Sequence, residues 1–193
     1  MPSFYRLANG TVEIDGVRMH QTGLKSPLSD AKDKIRLLMI RKGDRVLDVC
    51  TGLGYSALAA ANAGAKVVTV EIDEEVLALA VGNKDSKGLF GNQNIELVVD
   101  DAFSYLDDLP DASFGKIMHD PPRLSMAGEL YSLEFYKKLF RVLRFGGLLF
   151  HYTGNPGKKS GKNIPKGVKN RLLEAGFSKV DWNESLQGFV CRK

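Results

Sequence analysis

"VLDVCTGLGYSALAAANAGA", residues 46–65, sets a short β-branched run, a turn with two glycines and an alanine-rich helical stretch in immediate succession. A strand covered on both faces reads as a nearly unbroken apolar run, and glycines in the turn after it let a backbone approach a ligand where a helix begins. Gly52 and Gly54 stand at that turn. Glu71 follows about twenty residues later, at the end of the next apolar run, where a carboxylate can accept from both hydroxyls of a ribose. The spacing predicts a nucleoside site on a strand, a glycine turn and a helix. Taken alone, Gly52, Gly54, Ala57 and Glu71 also satisfy a loose dinucleotide fingerprint.

Outward from this stretch, apolar runs alternate with helical patterns, which predicts an α/β domain with a parallel sheet. Strands are expected at 45–50, 66–72, 94–99, 114–119 and 147–153, with helices at 54–63, 73–84, 102–107 and 130–143. The last of these helices is expected to stop at Gly146 and Gly147. A helix over 166–175, ending at Gly176, leads to two final strands at 178–183 and 186–192. The connection between those two strands is too short for a parallel crossover, so they must form an antiparallel pair. The expected fold is Rossmann-like, with a seven-stranded, mostly parallel sheet closed by a C-terminal antiparallel hairpin. Residues 1–28, with "GTVEIDGVRMHQT", read as a small β-hairpin extension, a helix is expected at about 29–40, and 29–193 read as the main domain.

At 193 residues the chain suffices for one domain with a full core, since roughly 70% of the unfolded surface is buried at this size. Cys50 and Cys191 are its two cysteines, which excludes a disulfide framework and a cysteine-rich zinc site and suits a reducing, cytoplasmic setting. No run approaches the ~18 apolar residues of a membrane span, and no metal or membrane partner is expected. The net charge of +4 permits nucleic-acid binding without requiring it. Its distribution says more: six basic residues and no acid lie between Thr153 and Leu173, whereas 100–111 is acidic. Lys158, Lys159, Lys162, Lys166 and Arg171 are the candidate RNA contacts, with a solvated surface as the plainer reading of the same run.

Asp48 separates the cofactor alternatives. A carboxylate at the end of the first parallel strand repels a pyrophosphate and favours a ligand carrying an ammonium and a sulfonium, as S-adenosylmethionine does. The candidate cofactor residues are Asp48, Cys50, Thr51, Gly52, Gly54, Tyr55, Glu71, Ile72, Asp101, Ala102 and Phe103. Asp101 is placed to accept from an adenine amine, Ala102 to offer its amide and Phe103 to line the ring, while Ile72 packs on the adenine. Asp100 or Asp101 also suits a helix N-cap, and Asp73 is read as a cap. With "LDVCTGLG", "TVEID", "VDDAF" and "HDPP" in this order, the chain resembles the class I S-adenosylmethionine-dependent methyltransferases over roughly residues 30–193. As a whole it resembles a group of archaeal proteins described as methyltransferases.

"HDPPR", residues 119–123, ends the fourth strand with an acid and two prolines. Prolines fix the backbone, and in methyltransferases that modify exocyclic base amines a similar "DPP" corner holds the acceptor. The resemblance implies that Asp120, Pro121, Pro122 and Arg123 form the catalytic set, with the carboxylate and a proline carbonyl accepting the amine hydrogens. Arg123 stands where that family has an aromatic, and His119, Phe150, His151 or Tyr152 are candidates for the missing ring. Both histidines also read as satisfied polar residues near strand ends. The expected activity is N-methylation of a base amine in rRNA or tRNA, cytidine N4 being one candidate. A second reading comes from "IDGVRMHQT", which is similar to a hairpin of spermidine synthases and implies aminopropyl transfer. A third is an RNA-binding module without catalysis. The sequence sets no oligomeric state.

Overall fold

The computed structural model describes residues 3–20, 25–154 and 164–193. The chain opens with β1 (Tyr5–Ala8), β2 (Thr11–Ile14) and β3 (Val17–Arg18), then α1 (Pro27–Leu37). The main sheet and its helices follow as β4 (Arg45–Val49), α2 (Tyr55–Asn62), β5 (Lys66–Glu71), α3 (Glu74–Gly82), β6 (Ile95–Val99) and α4 (Ala102–Tyr105). Then come β7 (Phe114–His119), α5 (Leu133–Val142), β8 (Leu143–Tyr152), α6 (Ile164–Glu174), β9 (Lys179–Asn183) and β10 (Gly188–Arg192).

Seven strands form one sheet in the order β6-β5-β4-β7-β8-β10-β9. The first five in chain order are mutually parallel, and β10 runs antiparallel to both β8 and β9. The chain builds outward from β4 through β5 to β6, then returns to the other side of β4 with β7. The carboxyl ends of β4 and β7 therefore flank the point where strand order reverses, the crevice in which open α/β sheets bind ligands.

Alternation along β4 feeds two cores. Val46 points to the layer shared with α1 and α2, where Ile35, Leu38, Ala57 and Ala60 are buried. Leu47 points to the opposite layer with Phe135, Leu139, Val168 and Leu172 from α5 and α6. The alanine face of α2 is fully buried at Ala57 and Ala60, so this helix can lie close to the sheet. Among the described residues no helix is long and apolar enough to cross a membrane.

Three local expectations differ from the structure. The helix expected at 130–143 is split into a 3-10 turn, Gly128–Tyr131, and α5, because the Ser132 hydroxyl accepts from the Phe135 amide at 3.0 Å and starts a new helix. It then ends at Val142, and β8 begins at once. Gly146 and Gly147 thus lie within an irregular strand start, where Phe114 pairs with Leu143 but Lys116 with Leu148. Finally, the N-terminal extension has three strands rather than a single hairpin. Asn9-Gly10 and Asp15-Gly16 all have positive φ, the backbone that tight two-residue hairpin turns require.

Candidate active site

A cavity of about 360 Å³ opens at the carboxyl ends of the parallel strands, roofed by the N-terminal sheet. Its floor is built from the segments that follow four strands: Cys50, Thr51 and Gly52 after β4, Ile72 and Asp73 after β5, Asp100 to Ala102 after β6, and Asp120 to Pro122 after β7. Tyr5, Ile14, Met19 and His20 close it from above. Tyr55, at the start of α2, also lines it and donates from its hydroxyl to the Gly10 carbonyl at 2.9 Å, tying the roof to the floor. A second tie runs from the Tyr5 hydroxyl to Asp73 at 2.9 Å.

Glu71 lines the same cavity and is held by backbone amides. One oxygen accepts from Gly52 at 2.8 Å and the other from Ile72 and Asp73 at 3.1 and 3.2 Å. Burial pushes its carboxyl up from the ordinary range, and the amides restrain that shift. Asp73 caps α3 as expected, accepting from Glu75 and Val76. Asp101 caps α4 through Phe103 N at 2.9 Å while also bordering the cavity, so capping and lining coexist in one residue. Ile72 is largely exposed at the cavity edge.

Asp48, Gly54 and Phe103 lie outside the lining. Asp48 is buried below the loop, where Oδ2 accepts from Thr69 at 2.6 Å and Oδ1 has no hydrogen-bond partner among the described residues. Burial pushes this carboxyl up to about 7. Gly54 has φ +76, a backbone that favours glycine, and a Cβ there would come within 2.7 Å of the Leu89 side chain, so its glycine has a structural reason apart from any ligand. Phe103 turns inward to stack on Phe135 at 5.8 Å, with Lys138 Nζ 3.9 Å from its ring centre. Cys50 has φ +69 and sits half-buried in the cavity floor, where burial raises its thiol well above the ordinary range.

The Asp-Pro-Pro corner faces the cavity, and its carboxylate is not alone. Lys34 Nζ sits 2.7 Å from Asp120 Oδ2 and 2.8 Å from Asp30 Oδ2. Burial would push this ammonium down, but the two carboxylates outweigh it and hold it above its usual value. Pro122 accepts at its carbonyl from the Tyr131 hydroxyl at 2.9 Å. Arg123 is exposed and outside the lining. His119 and His151, opposite each other on β7 and β8, are sealed in the core with ring centres 4.3 Å apart. Tyr136 bonds His151 Nε2 at 2.9 Å, whereas neither ring nitrogen of His119 has a partner among the described residues.

Of the basic candidates, Lys158, Lys159 and Lys162 lie outside the described residues. Arg171 donates from Nε to the Tyr131 carbonyl at 2.8 Å, a tie between α6 and the turn before α5. The residues missed from sequence are Lys34, Asp30, His20 and Tyr5. A signal existed for the first two: positions 27, 31, 35 and 38 mark the buried face of α1, and Asp30 and Lys34 fall on that face four residues apart.

The geometry fits an adenosyl sulfonium ligand. A backbone-anchored carboxylate lies at the β5 end, a glycine with positive φ borders the cavity, and an unpartnered carboxylate oxygen sits beneath the loop. Residues 46–147 match the family model described as a methyltransferase domain. An uncharacterized protein of Methanocaldococcus jannaschii is 47% identical over 184 residues, covering 95% of this chain, and the chain spans 64% of that relative's length. Among solved structures, spermidine synthase from Thermotoga maritima superposes with a TM-score of 0.71 at 18% identity, covering 94% of this chain and 62% of its own. A SAM-dependent methyltransferase from Archaeoglobus fulgidus gives 0.60 at 18% identity, covering 82% and 75%. By the family match, the chain belongs to the methyltransferase-domain family.

Proposed function

We propose that this domain methylates an amine nitrogen brought to Asp120, with an exocyclic base amine of RNA as the acceptor. The observation that carries the reading is the Asp120-Pro121-Pro122 corner bordering the same cavity as Glu71 and Gly52. When bound, S-adenosylmethionine supplies a methyl activated by its sulfonium. Glu71 would hold the ribose hydroxyls, Asp101 and Ala102 the adenine, and Asp48 the cationic end. An aryl amine has its lone pair spread into the ring, so it needs orientation more than a strong base. A carboxylate accepting its hydrogens supplies that orientation and stabilises the charge developing on nitrogen. Pro122, Met126 and Leu130 give this end an apolar wall suited to a planar ring taken out of its stack. The basic residues from Lys158 to Lys166 would meet the phosphates outside.

A second reading is transfer of an aminopropyl group to a polyamine. The roofed cavity is lined by Glu71, Asp73, Asp100, Asp101, Asp120 and Glu129, a set of carboxylates suited to a cation. The fold shared with a spermidine synthase extends over nearly the whole chain. Calorimetric titration with S-adenosylmethionine and with its decarboxylated form separates the readings. Preference for the intact cofactor, with label transfer from it to unmethylated rRNA or tRNA that Asp120→Ala abolishes, supports RNA methylation. Preference for the decarboxylated form replaces it with the polyamine reading.

A further inference from the structure

Lys34 occupies an unusual place for a lysine. It lies on the buried face of α1 with its side chain 5% exposed, and Nζ is 4.1 Å from the ring centre of Tyr152 on β8. An ammonium has three protons to place. Here two carboxylates and an aromatic face receive it: Asp30 one turn earlier, Asp120 from the end of β7, and Tyr152. A buried ion cluster of this kind adds little stability over well-packed apolar side chains of similar volume. Its value must be sought in what it does to Asp120, its one member that borders the cavity.

We infer that Lys34 is a positioning residue that fixes the Asp120 carboxylate in its orientation toward the acceptor amine, an inference resting on the proposed role of Asp120. The contact engages Oδ2, so the grip on an amine falls to Oδ1 and is directional rather than swivelling. The charge count matters equally. One ammonium between two carboxylates leaves a net negative charge, so Asp120 is held without being neutralised. Remove the ammonium and the carboxylates of Asp30 and Asp120, each within 2.8 Å of Nζ, are left facing one another with no cation to hold either. Besides Asp30 and Tyr152, the titratable groups that act on this cluster are His20 from the roof, Asp48 and Cys50 from β4 and its loop, Tyr131, and His151 from β8. His20 is kept neutral, its value pushed down to about 4 by burial, so it brings no competing cation.

The test uses two probes that need no identified acceptor. Sinefungin carries a primary ammonium where the cofactor has its methyl sulfonium, and S-adenosylhomocysteine carries neither charge there. The ratio of their calorimetric affinities reads the carboxylate at the reaction centre, whereas the second ligand alone reads the rest of the pocket. For Asp120→Asn the sinefungin preference should fall about tenfold or more, the worth of one charge-assisted hydrogen bond. Lys34→Met should also lower the preference severalfold, because the carboxylate is no longer held toward the ligand. S-adenosylhomocysteine should bind both variants within about twofold of wild type. If Lys34→Met does not fold, Lys34→Met/Asp30→Asn, which has no like-charge pair, takes its place; Asp120 is then unheld, and the preference should fall there too. Wild-type preference in the Lys34 variants, with preference lost in Asp120→Asn, overturns the inference and leaves the Asp120 role standing. Retained preference in Asp120→Asn overturns both. An equal loss for both ligands also overturns it, because Lys34 would then be shaping the whole pocket.

Discussion

At the scale of single residues, the site rests on carboxylates that the backbone or a buried cation holds in place. Glu71 accepts three amide hydrogen bonds and still faces the cavity. Glu71→Ala should weaken S-adenosylmethionine binding ten- to a hundredfold, about the worth of one or two charge-assisted hydrogen bonds; unchanged affinity in calorimetry removes Glu71 from the ribose site. Asp48 makes a different prediction. With its value pushed up to about 7, part of the population carries a proton near neutrality. A cation bound above it would lower that value, so at about pH 6 binding should release a proton, seen as dependence of the heat on buffer ionisation. Asp48→Asn should remove most of that dependence, Glu71 contributing what remains. Glu71 and Asp120 were legible in the sequence because strand ends fix their place. Lys34 was legible only in part: its place beside Asp30 on the buried face of α1 was a signal, but its contact with Asp120, 86 residues away, is made only by the folded chain.

Among the elements, the N-terminal sheet bears most directly on function, because it turns an open crevice into a roofed cavity. Tyr55 ties it down, donating to Gly10 and accepting from Asn83 at 2.9 Å each. Tyr55→Phe should cost about 1 kcal/mol of stability and speed cofactor release, measured by stopped flow, more than it slows capture. An unchanged release rate would mean that the roof does not gate the cavity. The strands and helices of the parallel sheet were readable from apolar runs of the right length. Where reading failed, local chemistry competed. Asn9-Gly10 is as strong a turn signal as Asp15-Gly16, yet only a hairpin was read where both together make a three-stranded sheet. Gly146 and Gly147 looked like a helix stop, but the strand partner Phe114 draws Leu143 into β8 first.

For the whole molecule, topology and pH response follow from what is buried. The short connection at 183–185 settled the antiparallel end of the sheet before any contact was known, since a parallel crossover needs a dozen residues or more. The pH response was not legible, because burial of a histidine is a tertiary property. All three histidines are held neutral: His20 and His151 are pushed down to about 4 and about 3, and His119 lies well below its ordinary value, each through burial. Between about pH 4 and 6.5 the unfolded chain therefore binds more protons at these sites, and stability rises with pH. Asp48 and Glu71, raised by burial, act in the opposite direction over part of that range. The net slope should be roughly 1 to 3 kcal/mol per pH unit, checked by urea unfolding at several pH values; a flat profile would mean that the histidines are not buried as neutral groups.

The stacked pair on β7 and β8 has a use of its own. His119 precedes Asp120 in the chain, and neither its ring nor that of His151 should titrate across the working range of the protein. In a molecule with three histidines, their imidazole resonances form a sparse and pH-silent NMR signature next to the reaction centre. A chemical-shift change in them on adding a candidate acceptor would register an event at the Asp-Pro-Pro corner itself, which makes them native beacons for screening substrates without a label.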